Sequence, residues 1–349
     1  MQAGCLLTQP AEEILEVLMA EMSKRERLQA AIAGKPVDRP PIAFWRHWPI
    51  DDQDPASLAR ATLDYQRRFD WDFIKVTPSH TYCVRDWGSV DAYRGRPVGD
   101  RDHLEWTIKA PEDWDRIEPL DVQSGALGRQ LECLRLVLDR RPQVPVIQTV
   151  FNPIGAARYL AGDETFLVHM RRYPERFTRA LEAISRTCAD FCAAAIAAGA
   201  DGIFLSTTAA SYDVMSVEEH DRFARPYDLA ALNAAKDGWL NVLHLHGKHP
   251  MLPVVADYPA QVLNWHDRTA GPSLADAQRI FPGAVAGGVE QYTLLHFALP
   301  TEVAAQVQDA ISQTGGRRLI VAAGCTYPLT VPEGNLFAAR QAVESAALA

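Results

Sequence analysis

The sequence has no long apolar run. Nothing in its 349 residues approaches the roughly 18 consecutive apolar residues that a membrane-spanning helix needs. Near the start it carries acids, Glu12, Glu13 and Glu16, where a secretory signal would carry basic residues. These features predict a cytoplasmic protein without a membrane segment.

An excess of basic residues is also missing. The chain has 35 Lys and Arg against 44 Asp and Glu, a formal net charge of −9. Recognition of nucleic acid phosphates needs clustered Lys and Arg, so we predict no nucleic-acid partner.

Cysteines are few and scattered. The six cysteines show none of the short spacings of a disulfide framework. Cys188 and Cys192 lie four apart in an alanine-rich helical stretch, where small buried side chains are expected. Cys325 is different, because it follows a predicted strand and is available as a metal ligand or nucleophile.

Repeats, low-complexity segments and Gly/Ser linkers are absent, so residues 22–349 are predicted to form one domain. Within it, short β-type apolar runs alternate with helical patterns. This alternation is typical of an α/β protein with a parallel sheet, and eight runs are the number that closes a (β/α)₈ TIM barrel. A doubly wound open sheet is the alternative. The predicted strands are 42–44, 73–76, 144–150, 202–205, 241–244, 262–265, 284–287 and 319–323.

Two segments lie outside the barrel pattern. Residues 79–119 are too many for a βα loop and predict a hairpin-like insertion after the second strand. Residues 1–21 predict an N-terminal helical extension with no visible chemistry. The helix that follows should begin at Ser23, because Glu26 completes a capping-box pattern.

Polar residues follow the predicted strands. The loops after the strands build the active site of a TIM barrel, so we expect these side chains to share one cavity. Arg46 is ambiguous, since it would either bind an anionic substrate group or pair with a carboxylate. The candidate substrate-binding residues are Arg46, His47, His80, Asn152, Ser206 and His266. The candidate catalytic residues are Asn264, Asp267 and Glu290.

The sharpest motif is His244-Leu245-His246 at a strand end. In an extended chain residues i and i+2 face the same side, so both imidazoles can reach one ion. An H-x-H pair alone is more often a hydrogen-bonding pair, but Cys325 adds a thiolate, and zinc favours imidazole and thiolate ligands. We therefore predict a catalytic zinc held by these three residues. Glu290 would fill the fourth position or orient a ligand.

Several segments resemble the uroporphyrinogen decarboxylase superfamily. They are residues 22–41, 199–203, 284–288 and 324–336, and the resemblance covers essentially everything from Met22 onward. It implies a (β/α)₈ barrel. The superfamily's decarboxylases use no metal and require an arginine-rich motif, an aspartate beneath the pyrroles and a late histidine. Here only Arg46 remains of the arginine motif, Lys75 lies in the aspartate region, and Cys325 replaces the histidine.

The other branch comprises zinc methyltransferases that carry a methyl group from a corrinoid protein to a thiol, with related demethylation enzymes. Its H-x-C-G and late G-C signatures are similar to His244-Leu-His-Gly247 and Gly324-Cys325. The resemblance implies that His244 and Cys325 bind zinc. His246 departs from the pattern, because it stands where cysteine is usual and makes the site one charge more positive. A corrinoid protein and a second copy in a homodimer are the implied partners.

These observations predict a zinc-dependent methyltransferase acting between a corrinoid or other methyl donor and a thiol, in the setting of a demethylation pathway. Three alternatives stay open. They are a metal-free decarboxylase of the uroporphyrinogen type, a zinc-dependent hydrolase or lyase, and a non-catalytic ligand-binding barrel.

Overall fold

The computed structural model describes residues 21–141 and 143–346. The predicted extension over residues 1–21 therefore lies outside the described residues, apart from its last position. Among the helices within the described ranges, none has the length and apolar character needed to cross a membrane.

The centre of the molecule is a curled sheet of seven parallel strands, in the order β1-β4-β5-β6-β7-β8-β9. Every residue of these strands is buried. Strands that follow one another along the chain are neighbours, as expected when helices cover the outside of a parallel sheet. The strands are β1 (Ile74–Val76), β4 (Val146–Phe151), β5 (Gly202–Thr207), β6 (Val242–Leu245), β7 (Val262–Trp265), β8 (Ala284–Val289) and β9 (Leu319–Ala323).

The segment around Ile42 closes the sheet into a barrel. Ile42 forms a parallel bridge with Val321 of β9, and its carbonyl accepts a hydrogen bond from the amide of Asp72 at 2.9 Å, just before β1. The barrel prediction is confirmed, but its first strand is a single-residue bridge. Pro40 and Pro41 precede Ile42 and have no amide hydrogen to donate, which shortens the pairing.

A buried ion network joins this closure to the N-terminal helix. Asp72 is fully buried and contacts Arg27 and Arg39, each at 2.7 Å. It also accepts the amide of Ile42 at 2.7 Å. One carboxylate therefore holds three segments together at the base of the closing bridge.

The helices surround the sheet. The first begins after Ser23, whose side chain forms the predicted capping box with Glu26. The helices are α1 (Lys24–Ile32), α2 (Pro55–Phe69), α3 (Gly125–Arg140), α4 (Pro153–Ala161), α5 (Asp163–Arg172), α6 (Pro174–Ala197), α7 (Val217–Phe223), α8 (Arg225–Ala234), α9 (Leu252–Val255), α10 (Asp267–Ala270), α11 (Leu274–Ile280), α12 (Leu294–Phe297), α13 (Pro300–Thr314) and α14 (Glu333–Ser345).

The predicted insertion after β1 is present. Its antiparallel strands β2 (Val90–Ala92) and β3 (Asp102–Glu105) form a separate two-stranded sheet. The connection between them and the end of β3 bring Asp100, His103 and Trp106 to the wall of the cavity described next.

Candidate active site

The carboxyl ends of the barrel strands open into a cavity of about 720 Å³. This is the position expected for the active site of a TIM barrel. Of the residues proposed from the sequence, six line it: His47, His80, Ser206, His244, His246 and Cys325. The structure thus brings these side chains into one space.

Four metal-ligating side chains meet at this cavity. One ligand atom from each of His244, His246, His266 and Cys325 lies within 4.8 Å of the others. His244 is in β6, His246 directly follows it, His266 directly follows β7, and Cys325 lies two residues past β9. The cluster therefore joins three strands.

The two side chains of the H-x-H pair point in the direction that strand geometry predicts. His244 Nε2 and His246 Nδ1 each lie 3.8 Å from Cys325 Sγ. Leu245 between them is fully buried in the core. Both imidazoles thus face the thiol, because side chains two apart in a strand point the same way.

Asn264 orients His244. Its Oδ1 lies 2.6 Å from His244 Nδ1, while its Nδ2 donates to the carbonyls of Ala286 at 2.9 Å and Ala323 at 3.1 Å. The two carbonyls fix the amide with its oxygen toward the ring. Asn264 Oδ1 therefore accepts the Nδ1 proton of His244, which leaves Nε2 facing Cys325.

His266, which the sequence predicts as a substrate-binding residue, lies in the cluster. Its Nδ1 lies 3.3 Å from Gln291 Nε2, and its Nε2 is buried without a hydrogen-bond partner. A buried polar atom is normally paired. The strand register explains this position, because Asn264 pairs with His244 and Trp265 with Leu245, which places His266 opposite His246.

Gly324 allows the loop that carries Cys325 to approach the end of β7. A Cβ at this position would lie 2.8 Å from the Cα of His266 and 2.9 Å from the carbonyl oxygen of Trp265. These are backbone atoms that cannot rotate away. The absence of a side chain at Gly324 therefore allows the loop after β9 to pass directly against the end of β7.

The histidines favour the thiolate form of Cys325. Burial by itself raises the pKa of this thiol, but charge and hydrogen-bond interactions with His244 and His246 outweigh burial and hold the pKa well below its usual range. Burial alone would lower the pKa of His246. The hydrogen bond and the charge interaction with Cys325 raise this pKa by more than burial lowers it, so the net shift is upward. The cluster thus supplies an anionic sulfur beside imidazole donors.

This donor set fits zinc. Zinc prefers imidazole nitrogen at about 2.0 Å and thiolate sulfur at about 2.3 Å, so a tetrahedral ion holds sulfur and nitrogen donors about 3.5 Å apart. The two sulfur–nitrogen distances of 3.8 Å are close to that separation. The unpartnered Nε2 of His266 is a further donor that a metal would satisfy.

Glu290 does not reach the cluster. Its carboxylate accepts hydrogen bonds from the amides of Tyr292, Thr293 and Leu294, each at 2.7 Å. These amides precede and begin α12, where unpaired amides attract a carboxylate. The expected role of Glu290 as fourth ligand or catalytic group has no support in this geometry.

Three other candidate site residues form hydrogen bonds outside the cavity. Asp267 accepts the amide of Gly288 at 3.1 Å, and Asn152 donates to the buried Asp228 at 2.8 Å. Arg46 donates to a backbone carbonyl at 3.3 Å rather than to a carboxylate. None of these three is among the residues that line the cavity.

Sequence reasoning missed part of the cavity wall. Lys75 lies on β1 and lines the cavity, although the sequence showed it only as a residue in place of an acid. Asp100, His103 and Trp106 come from the insertion, where no periodic pattern distinguished them. Tyr159 reaches the same wall from α4.

The chain belongs to the uroporphyrinogen decarboxylase (URO-D) family, whose profile matches residues 23–346. Two similar curated proteins are named as methyltransferases. Methylcobamide:CoM methyltransferase MtbA from Methanosarcina mazei is 24% identical over 357 residues, covering 91% of this chain and 96% of that protein. Methylcobamide:CoM methyltransferase MtaA from Methanosarcina barkeri (strain Fusaro) is 24% identical over 247 residues, covering 66% and 71%.

Solved structures show the same fold. A methyltransferase from Methanosarcina mazei superposes with a TM-score of 0.82 at 19% identity, covering 93% of this chain and 99% of that chain. A B12-independent methionine synthase from Shewanella sp. W3-18-1 gives a TM-score of 0.56 at 12% identity, covering 84% and 87%. At these identities the likeness concerns the fold.

Proposed function

We propose that this protein is a zinc-dependent methyltransferase that moves a methyl group between a corrinoid or other methyl donor and a thiol. The observation that carries the proposal is the convergence of His244, His246 and Cys325 at the mouth of the barrel. The relatives named as methylcobamide:CoM methyltransferases support the reaction class. The corrinoid would be presented by a partner protein at the open end of the cavity.

Each residue of the cluster has a part. His244, His246 and Cys325 would hold the zinc, and His266, which lies outside the H-x-H and G-C motifs, would be the further donor beside them. Bound zinc supplies Lewis acidity that keeps a thiol in its thiolate form. Asn264 keeps the Nε2 of His244 directed at the site.

The zinc content of the purified protein tests the proposed zinc site. Purified protein is expected to hold about one zinc per chain. Cys325→Ser and His246→Ala each remove a ligand and should lower zinc occupancy after dialysis, while the double variant should be nearly zinc-free. Cys133→Ser is the matched control, because Cys133 is a fully buried core thiol remote from the cluster motifs. Zinc-free wild type, or full occupancy in the double variant, ends the proposal.

Methyl transfer tests the reaction. Loss of the methylcobalamin absorbance in the presence of a thiol is expected for wild type and not for Cys325→Ser. A zinc-loaded protein that transfers no methyl group from any corrinoid would instead favour a zinc-dependent hydrolase or lyase.

A further inference from the structure

The cavity has a second group of titratable side chains, on the side that the insertion forms. Asp100 lies in the connection between β2 and β3, and its Oδ1 is 3.3 Å from Nε2 of His47. Both residues line the cavity that His246 and Cys325 also line. Neither is needed to hold the metal in the proposed function, so a histidine–carboxylate pair at this place calls for a reason.

The contact between Asp100 and His47 depends on the way the insertion is seated. A Cβ at Gly99 would lie 2.7 Å from the Cβ of His47 and 3.1 Å from Cδ2 of Leu329. The φ of Gly99 is +89°, which residues with a side chain rarely adopt. The amide of Leu329 also donates to the carbonyl of Pro97 at 2.8 Å. The insertion is therefore packed on the loops that follow the first and last strands, and it brings Asp100 to His47.

His47 and Asp100 differ in their access to solvent. The side chain of His47 is 9% exposed, whereas that of Asp100 is 36% exposed. Nδ1 of His47 is buried, so Nε2 is the nitrogen that can exchange a proton with a ligand in the cavity. The pair thus connects a buried imidazole to a carboxylate that reaches water.

Asp100 lacks the permanent ion pair that holds the other acidic residues of the cavity wall. Asp102 contacts Arg96, and Asp163 contacts Arg158 at 2.6 Å. Arginine stays charged in proteins and therefore keeps its carboxylate partner ionised. Among the described residues, no Lys or Arg nitrogen lies within 4.0 Å of the carboxylate of Asp100. This carboxylate is therefore able to gain and lose a proton.

Burial shifts the pKa values of the two groups in opposite directions. It lowers the pKa of His47 to about 4, so the imidazole is neutral at pH 7 and able to accept a proton. It raises the pKa of Asp100. The two pKa values thus come closer together, which suits the sharing of one proton. The charged groups that act on the pair come from the segments around Ile42, β1, the insertion, β6 and β9, and they are Arg46, Lys75, His80, Arg96, His246 and Cys325.

We propose that His47 and Asp100 together form the general base that accepts the proton of the substrate thiol and passes it to water. This inference rests on the proposed function, in which a thiol receives the methyl group. The S–H bond of the thiol breaks, and its electron pair stays on sulfur and forms the bond to the methyl carbon. The donor keeps the electron pair of the bond that it loses. The proton comes to lie between Nε2 of His47 and Oδ1 of Asp100, and Asp100 releases it to solvent.

Single-turnover methyl transfer from methylcobalamin to 2-mercaptoethanol by the zinc-loaded protein tests this role. His47→Gln and Asp100→Asn are each expected to slow the transfer by about 100-fold or more at about pH 6.5. The loss should shrink as the pH rises, because more of the thiol is then ionised before it binds. The wild-type rate should therefore vary less with pH than the rate of either variant. A loss by the same factor at every pH would indicate a structural role and overturn the proposal.

A thiol that has no proton to give supplies a sharper test. Pentafluorothiophenol is ionised at neutral pH, so both variants should methylate it within about threefold of the wild-type rate. A loss as large as that seen with 2-mercaptoethanol would contradict the role of the pair as a base. If His47→Gln does not fold, as judged by circular dichroism, His47→Asn takes its place under the same criteria.

His169→Gln and Asp213→Asn are the matched controls. His169 is as buried as His47, at 7% exposed. Asp213 also lies beside a histidine, with its Oδ1 2.7 Å from Nδ1 of His249. Neither His169 nor Asp213 is among the residues that line the cavity. Both variants should keep the wild-type rate and its pH profile.

The same measurements separate this proposal from the proposed function. A zinc-loaded wild type that transfers no methyl group to either thiol would sink the methyltransferase, and the general base with it. Transfer by the wild type at rates that His47→Gln and Asp100→Asn leave unchanged would keep the methyltransferase and remove only the role of the pair.

Discussion

At the scale of single residues, the proposed metal centre would depend on side chains that are not themselves ligands. Asn264 is buried, bridges two backbone carbonyls and offers its oxygen to His244. Such a partner fixes both the tautomer and the direction of an imidazole ligand. The affinity of the site for zinc should therefore depend on Asn264 even though its amide is not a ligand.

Asn264→Ala is expected to weaken zinc binding by about 10–100-fold, because His244 loses the acceptor that fixes its Nδ1 proton. Competition with a chromogenic chelator measures the change. Asn335→Ala is the control, since Asn335 is also buried and also donates to two backbone carbonyls, at 3.0 Å each. It should lower stability without changing the affinity for zinc. Equal zinc affinities in wild type and Asn264→Ala would contradict this role.

At the scale of elements, the barrel is closed by a bridge of one residue and reinforced by a buried ion network. Asp72 joins α1, through Arg27, to the segment of Arg39 and Ile42. A one-residue bridge supplies few hydrogen bonds. The carboxylate is therefore expected to contribute much of the stability at this junction.

Asp72→Asn should lower the free energy of unfolding by about 3–5 kcal/mol, because it leaves the buried guanidinium of Arg39 without its counter-charge. It also removes one of the two carboxylates that contact Arg27, which keeps Asp38 at 2.6 Å. Urea denaturation followed by fluorescence measures this loss. Asp70→Asn is the matched control, as its side chain is 64% exposed, and an exposed pair contributes about 1 kcal/mol or less. Similar losses in both variants would show that Asp72 has no special role.

At the scale of the whole molecule, one buried carboxylate links stability to pH. Asp228 is fully buried, accepts hydrogen bonds from Asn152 at 2.8 Å and Tyr258 at 3.3 Å, and has no cation among these partners. Burial raises its pKa to about 7, although the two hydrogen bonds oppose the shift. In the folded protein the group thus keeps its proton well above the pH at which it ionises in the unfolded chain.

The direction of the change of stability with pH follows from the number of protons that each state binds at Asp228. Between pH 3.8 and about 7 the folded state binds more protons at Asp228 than the unfolded state, so its contribution to stability falls as pH rises through that range. The three-unit difference corresponds to about 4 kcal/mol. Asp228→Asn cannot ionise, so its unfolding free energy, measured in urea from pH 4 to 8, should lack this decline. A parallel decline in the variant and wild type would refute the assignment.

Particular residues show how much of the fold and of the candidate site could be predicted from the sequence. Apolar runs alternating with helical patterns predicted the parallel barrel, because periodicity is a local property of the chain. The same local rule placed His244 and His246 on one face. The strand at residues 42–44 was predicted too long, since the two prolines before it limit its pairing.

The positions of two other predicted site residues have long-range or loop-level causes. Glu290 follows β8 as predicted, yet the amides of the next turn capture its carboxylate. His266 is predicted from the sequence as a substrate-binding residue, because the sequence of one strand does not reveal which residue of the neighbouring strand lies beside it. Register between β6 and β7 decides that neighbour.

The sequence alone determined the architecture and the two histidines of the H-x-H motif, because strand and helix periods are read from residues close together in the chain. Only the tertiary structure decided that His266 completes the cluster, that Asn264 aims His244, and that Asp100 of the insertion meets His47. These three properties depend on which side chains from distant segments meet in the closed barrel.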